Sequence, residues 1–421
     1  MNYEEALAYM NKVQKRGSVL GLDSVKLLLE RLDNPQDKRK VIHVAGTNGK
    51  GSICTFLEAM YRAEGKKVGR YISPTLHGYL ERFQIDGCDM EEDTFADLLS
   101  QVLPVIRQME QEGHALPTAF EIETAVAFLY FLEEHVDLVL LETGMGGRQD
   151  ATNVVSQPLC TVFASIGMDH MQFLGDTPEQ IAWEKAGIIK ESCPAVSYPN
   201  APEVIAVLEE EAGSHNTNLK VIQKEDIHIL SQTLSGTHFS YRGISYQIRM
   251  LGEYQVYNAA TAIETKLLLD GHVREDSLME AVWEGRFEIL SRHPLLIRDG
   301  AHNVDGVIAL KESLQNYFTN AQFFFIIGVL RDKEYDTMMQ ILCPMAEQVF
   351  TITPQNERGL SGAVLREAVL PYCQAVRDCS SVEEALERAG QEAARCGQEG
   401  KRAVIVAWGS LSYLSQVTVR K

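Results

Sequence analysis

A short apolar run that ends in glycines and restarts as a helix constrains this chain more than any other feature. Val41-Ile42-His43-Val44-Ala45 is rich in β-branched residues, and Gly46-Thr47-Asn48-Gly49-Lys50-Gly51-Ser52 follows directly. From Ser52 to Glu64, residues Ile53, Phe56, Leu57 and Met60 fall on one helical face. Strand, glycine loop and helix is the order a phosphate-binding turn needs. Glycines let backbone N–H groups approach an anion, the helix N-terminus adds its dipole, and Lys50 adds a charge. The common phosphate-loop spelling is nevertheless broken. Val44 stands where its first Gly belongs, and Gly51 where its hydroxyl belongs. Alone, the stretch leaves two readings open: a nucleotide site, or a tight turn between strand and helix. Ser52 and the flanking elements favour the first.

Strand-like runs alternate with helical patterns almost throughout, which is the α/β signature. A helix over 119–134 precedes Val136-Asp137-Leu138-Val139-Leu140-Leu141, apolar enough for a strand buried on both faces of a parallel sheet. Leu159–Ile166 reads as another central strand, and 238–241 with 244–250 as a hairpin at a sheet edge. A second α/β series begins near Pro294, with candidate strands at 295–298, 322–329, 348–352 and 402–408. Ser380-Ser381-Val382-Glu383-Glu384 offers overlapping capping boxes for a helix to about Cys396. The expected organisation is an N-terminal domain over 1–290 with a mainly parallel sheet, and a smaller C-terminal Rossmann-like α/β domain over 291–421.

Composition narrows the class. The chain has 421 residues, enough for two or three domains, and is 45% apolar and 23% charged, as in soluble globular proteins. No apolar run is long enough to span a bilayer, and Met1-Asn2-Tyr3-Glu4-Glu5 does not open like a signal peptide, so a cytoplasmic location is expected. A net charge of −19, from 58 acidic and 39 basic side chains, disfavours nucleic-acid and anionic-membrane partners. An anionic substrate must therefore meet a local positive pocket. The 8 cysteines form no C-x-x-C pair, which suggests reduced and mostly buried thiols.

Four further stretches carry polar groups at strand ends or on helices. Glu142 closes a buried strand before Thr143-Gly144-Met145-Gly146-Gly147-Arg148, where an acid can hold Mg2+. Asp169-His170 follows another strand, Lys185 lies within Trp183-Glu184-Lys185-Ala186-Gly187, and Asp299-Gly300-Ala301-His302-Asn303 follows a strand in the second half. A lone His or Lys in such settings is more often an ordinary loop or surface group. The value of Glu142 and His170 lies in sharing, with the glycine loop, one rim of an open sheet, where ligands bind, whereas Lys185 and the Asp299 stretch say little alone. No G-x-G-x-x-G occurs, so a nicotinamide site has no support.

Taken together, these stretches resemble the folylpolyglutamate synthase family, with its dihydrofolate synthase members, in the Mur ligase superfamily. G-T-N-G-K-G-S matches its abbreviated phosphate loop. The match continues through Gly21-Leu22-Asp23, Ser73-Pro74, Thr118-Ala119-Phe120-Glu121, Gly146-Gly147-Arg148-Gln149-Asp150-Ala151-Thr152-Asn153 and Glu184-Lys185-Ala186-Gly187-Ile188. It resumes at Asn258-Ala259-Ala260, Gly285-Arg286-Phe287-Glu288, Asp299-Gly300-Ala301-His302-Asn303, Gly328-Val329-Leu330-Arg331-Asp332-Lys333 and Gly409-Ser410-Leu411.

The resemblance implies an ATP-dependent ligase that phosphorylates the γ-carboxylate of a folate and joins it to L-glutamate, with dihydropteroate as a further acceptor. Thr47, Asn48, Gly49, Lys50, Gly51 and Ser52 would hold the nucleotide phosphates, and Asn258, Arg286 and Asp299 would reach the nucleotide from the domain junction. Ser52, Ser73, Glu142, His170 and a carbamylated Lys185 would ligate Mg2+, with K+ as an accessory cation. Lys50, His170, Lys185 and His302 would carry the chemistry. Asp23, Thr118, Phe120, Glu121, Asp150, Ala151, Thr152 and Asn153 would face the folate side, and His302 and Ser410 the glutamate. A monomer acting on small molecules is expected.

The chain departs from the family pattern at four places: Thr75 for a His, Trp183 for an Arg, Glu284 for a Pro, and Val304 closing the His-Asn motif. Two rival functions share the scaffold. Peptidoglycan ligases carry a nucleotide-sugar domain before the loop, whereas residues 1–40 alone precede the first strand here. A non-catalytic ATP-binding protein has no need to retain Lys50, Glu142, His170 and Lys185 together.

Overall fold

In the computed structural model, residues 1–15, 17, 21–169 and 171–419 are described, Gln172 by its backbone alone. They divide into two compact units: residues 1–228 with 239–247 and 257–281, and residues 229–238 with 248–256 and 282–421.

The first unit is built on an eight-stranded sheet in the spatial order Cys88–Asp89, Phe83–Ile85, Val68–Tyr71, Leu138–Glu142, Val41–Ala45, Cys160–Phe163, Ala195–Ser197, Leu219–Val221. Val41–Ala45 is central and parallel to both neighbours, Val44 lying opposite Glu142 and Val162. All five of its residues are buried, as are all five of Leu138–Glu142. Helices on both faces exclude water from these strands, so continuous apolar runs replace alternation. Val41, Tyr71, Val139 and Leu141 pack with Leu28, Phe95, Ala125 and Phe131. On the same face, towards the other edge of the sheet, Ala45 and Phe163 pack with Ile181, Ile188, Val204 and Leu208.

The second unit holds a six-stranded sheet in the order Glu288–Arg292, Leu295–Asp299, Arg402–Gly409, Ala321–Gly328, Ala346–Thr351, Val376–Asp378. Only the first pairing is antiparallel. The expected helix after Ser381 spans Val382–Gln398, with the Ser381 hydroxyl accepting from Glu384 N at 3.2 Å. Gly236–Tyr241 and Ile244–Ile248 pair as expected, but they form a separate three-stranded sheet with Ile227–Thr233. All eight cysteines are free, Cys88 alone being exposed. Among the described residues, no helix is long and apolar enough to cross a membrane.

Candidate active site

The loop after Val41–Ala45 is shaped by its glycines and stitched to the neighbouring strand end. Thr47 N and Asn48 N donate to Ser165 O at 2.7 and 3.1 Å, and the Thr47 hydroxyl donates to Gly167 O at 3.0 Å. Gly49 sits at φ 92° immediately before the helix Lys50–Arg62, a conformation that strains any residue with a Cβ. A Cβ there would lie 2.6 Å from Asn258 Oδ1, so Asn258, buried on the helix Glu253–Asp270, leans directly on the loop. Gly51 and Ser52 begin the first helical turn and are buried.

Two lysines converge on the loop. Lys50 Nζ donates to Gly46 O at 3.2 Å and Thr47 O at 3.4 Å, and lies 3.5 Å from Glu142 Oε1. Lys185 Nζ, buried at the end of the helix Pro178–Ala186, donates to the same Gly46 O at 2.9 Å. Burial, then repulsion from Lys50, lowers the Lys185 amine to about 7, against the pull of Asp169, Asp150 and Glu184. Its position is fixed by backbone contacts. Arg148 N donates to Glu184 O at 2.7 Å, and a Cβ on Gly147 would sit 2.6 Å from Lys185 O.

Asp150, Thr152 and Asn153, expected on the folate side, are buried and brace the turn that follows Leu138–Glu142. Asp150 accepts from Met145 N at 2.7 Å and from the Thr152 hydroxyl at 2.5 Å. Asn153 Nδ2 donates to Arg148 O and Gly187 O, each at 3.0 Å, and Lys190 Nζ donates to Asn153 Oδ1 at 2.7 Å. Ala151 is buried beside them. Thr118 caps the helix Ala119–Glu133 in a capping box with Glu121. Ser24 donates to Glu121, which joins the Asp23 segment to this helix, while Asp23 itself is exposed. Phe120 stacks on Tyr71, centroids 5.9 Å apart, and closes over Gly144, where a Cβ would meet its ring at 2.5 Å.

The donor set suits a hard cation. Ser52 and Glu142 are buried oxygen donors at the loop, and Ser73 is half-buried just after the strand Val68–Tyr71. Among the described residues no three His, Cys, Asp or Glu side chains cluster. Lys185 as an amine is not an oxygen ligand. His170, also assigned to the set, lies outside the described residues.

The second unit gathers its own group. Asp299 ends the strand Leu295–Asp299 and accepts from Phe287 N and Ala301 N, each at 2.7 Å. Burial raises its carboxyl above the usual range, although Arg286 and both N–H bonds oppose this. Arg286 lies over Gly300, where a Cβ would strike Nη1. His302 Nδ1 donates to Gly300 O at 2.8 Å. Ser410, at the end of the neighbouring strand, receives Ser412 N at 3.2 Å, and its own N donates to Gly328 O at 2.8 Å. Leu411 packs on Gly300, so Arg286, Asp299, His302 and Ser410 share one rim.

The departures find local explanations. Glu284 pairs with Arg298 at 3.0 Å. Trp183 lies under the Arg148 guanidinium, 3.9 Å from ring centroid to Cζ. Val304 opens the helix Val304–Tyr317, capped by Asn303 Oδ1 at 2.9 Å from Gly306 N. Nothing in the structure explains Thr75.

Comparison with known proteins matches this geometry to a family. The Mur ligase middle domain matches residues 44–265, and the Mur ligase glutamate ligase domain residues 285–411. A dihydrofolate synthase/folylpolyglutamate synthase of Bacillus subtilis is 37% identical over 362 residues, covering 82% of this chain and 84% of that protein. The chain belongs to the folylpolyglutamate synthase family of Mur ligases. The Mycobacterium tuberculosis folylpolyglutamate synthase, solved with ADP and AMPPCP, superposes with a TM-score of 0.90 at 27% identity, covering 98% of each chain. E. coli FolC in complex with DHPP and ADP gives a TM-score of 0.86 at 26% identity, covering 99% of this chain and 97% of that one. As a folylpolyglutamate synthase relative, the chain is a ligase that binds ATP. Sequence reasoning missed Gly46, whose carbonyl collects both lysines; its sole signal is a glycine at the strand end.

Proposed function

We propose that this ligase adds L-glutamate to the γ-carboxylate of a folate, with dihydropteroate as a second acceptor. The convergence of Lys50 and Lys185 on Gly46 O, beside Glu142 and the N-terminus of Lys50–Arg62, carries the reading. Two lysines meeting at a helix start, one of them beside a carboxylate, suit a triphosphate whose terminal group is transferred.

A carboxylate oxygen of the folate attacks the γ-phosphorus, the bond to the ADP oxygen breaks, and an acyl phosphate forms. The neutral amine of glutamate then attacks the carbonyl carbon, the C–O bond to phosphate breaks, and the ammonium proton is released. No protein nucleophile is needed; alignment and charge neutralisation lower the barrier. Lys50 and the loop residues Thr47–Ser52, with Asn258, Arg286 and Asp299, bind the nucleotide. Ser52, Ser73, Glu142 and His170 would hold Mg2+, which when bound neutralises phosphate charge. Lys185 joins them once its amine has added CO2, since a carbamate supplies the oxygen an amine lacks. Asp23, Thr118, Phe120, Glu121 and residues 150–153 form the folate side, and His302 and Ser410 serve glutamate. Residues 1–290 act as the ATP- and folate-binding part and 291–421 as the glutamate-ligase domain, in a cytoplasmic monomer.

The test is ADP release measured with dihydropteroate, tetrahydrofolate and its one-carbon derivatives, with and without glutamate. Release that needs both a pteridine acceptor and glutamate supports the reading. Release only with a nucleotide-sugar peptide, or none with any acceptor, would overturn it.

A further inference from the structure

The second sheet has another rim, opposite Asp299 and Ser410, where its parallel strands start. A cavity of about 430 Å³ opens there, lined by Arg292, His293 and Arg402 over Leu234, Pro294 and Leu295. That volume lies in the range of small-molecule pockets. Strand register assembles it: Arg292 pairs with Leu295, and Leu295 pairs with Val404, two residues beyond Arg402.

The charges here are unusual for this protein. In a chain of net charge −19, no acidic residue among those described lines the cavity. Even exposed arginines of this chain are matched to carboxylates, as Arg274 is to Asp276, Arg358 to Asp332 and Arg395 to Glu392. Arg292 and Arg402, also exposed, are not. Arg292 Nη2 donates to Leu234 O at 3.2 Å, and the Arg402 guanidinium lies over the Phe318 ring at 4.8 Å. Among the described residues neither has a carboxylate partner, and the adjacent Lys401 is taken by Glu399 at 2.8 Å. A backbone bond and a ring face restrain the two forks without neutralising them. Restrained guanidinium forks are suited to carboxylate or phosphate oxygens, and the apolar floor suits a hydrocarbon body.

We propose that this cavity binds a small organic anion with an aromatic or apolar body, its carboxylate or phosphate head held by Arg292 and Arg402. The proposal does not depend on the folate reading, because its readout is binding and none of these residues belongs to the reaction site.

The experiment is calorimetric titration of the full chain, with the nucleotide site filled by saturating ADP, using 4-aminobenzoate, phenyl phosphate and neutral aniline. The two anions share a ring and differ in head, so their ranking separates a carboxylate from a phosphate ligand. Saturable one-to-one binding of at least one anion, at least tenfold weaker in Arg292→Ala/Arg402→Ala and weakened by salt, is expected, with aniline not bound. The single variant Arg292→Gln, which keeps the strand pairing intact, should lose affinity in the same direction, and both variants should keep the wild-type ADP-release rate. Absence of saturable anion binding, or equal binding by wild type and both variants, overturns the proposal.

Discussion

Lys50 and Lys185 point their nitrogens at one acceptor, the Gly46 carbonyl, from 3.2 and 2.9 Å. Burial, and then repulsion from Lys50, lowers the Lys185 amine to about 7, while Lys50 stays beside Glu142. The pair therefore divides its work. Lys50 supplies a charge beside Glu142, and Lys185 supplies an amine lowered to about 7.

The Lys50 charge makes the first prediction. Lys50→Ala should lower turnover by about a hundredfold or more, the scale for losing a group that stabilises transferred phosphate. Circular dichroism should show an unchanged fold, since among the described residues Lys50 bonds only to loop carbonyls and Glu142. Near-normal ADP release by this variant would sink the phosphate-loop assignment.

The lowered amine makes the second. Addition of CO2 needs the unprotonated form, which gains population as pH rises through about 7. Activity at fixed dissolved CO2 should rise from pH 6 to 8 and fall when CO2 is stripped from the buffer. Lys185→Ala should be inactive and partly restored by short carboxylic acids. A fully active Lys185→Ala, or indifference to CO2, contradicts the assignment.

His43 sets the acid limit of the fold. Its Nε2–H donates to Thr152 Oγ1 at 2.8 Å, the Thr152 hydroxyl proton being directed to Asp150, and among the described residues the buried Nδ1 has no partner. Burial lowers the imidazole to about 3, so the folded state keeps it neutral while the unfolded chain takes a proton below about 6.5. The unfolded state then binds more protons, and stability falls with acid by up to about 1.4 kcal/mol per pH unit between about 6.5 and 3. Urea unfolding at pH 4, 5 and 6 should give a shallower slope for His43→Asn than for wild type. Identical slopes would show that His43 is not the group responsible.

Gly49 tests the loop geometry. Alanine at φ 92° costs about 1–2 kcal/mol in backbone strain and collides with Asn258 Oδ1. Gly49→Ala should weaken ADP binding at least tenfold in a direct titration. Wild-type affinity would mean that the loop does not hold nucleotide in this conformation.

The chain discloses some of this readily. Val41–Ala45, Gly49-Lys50 and the helix face after Ser52 lie within two dozen residues, so strand period, glycine chemistry and helix period reinforce one another. Glu142 was legible because a run of buried aliphatic residues ends on it. Val68–Tyr71 was not, because its buried Arg70, matched to Glu58, Thr55 and Gln84, breaks the apolar pattern. Lys185 stands 139 positions from Gly46, and nothing local separates it from a surface lysine; only the family resemblance marked it. Gly46 acts through its carbonyl, a role its residue type does not announce.

The central claim is that ATP activates a carboxylate oxygen that later leaves with phosphate. Tetrahydrofolate labelled with 18O in its γ-carboxylate, incubated with ATP and glutamate, tests it through mass analysis of the released phosphate. The acyl-phosphate route predicts one 18O atom in each phosphate formed. Unlabelled phosphate, with ADP and glutamylated folate still produced, would contradict it.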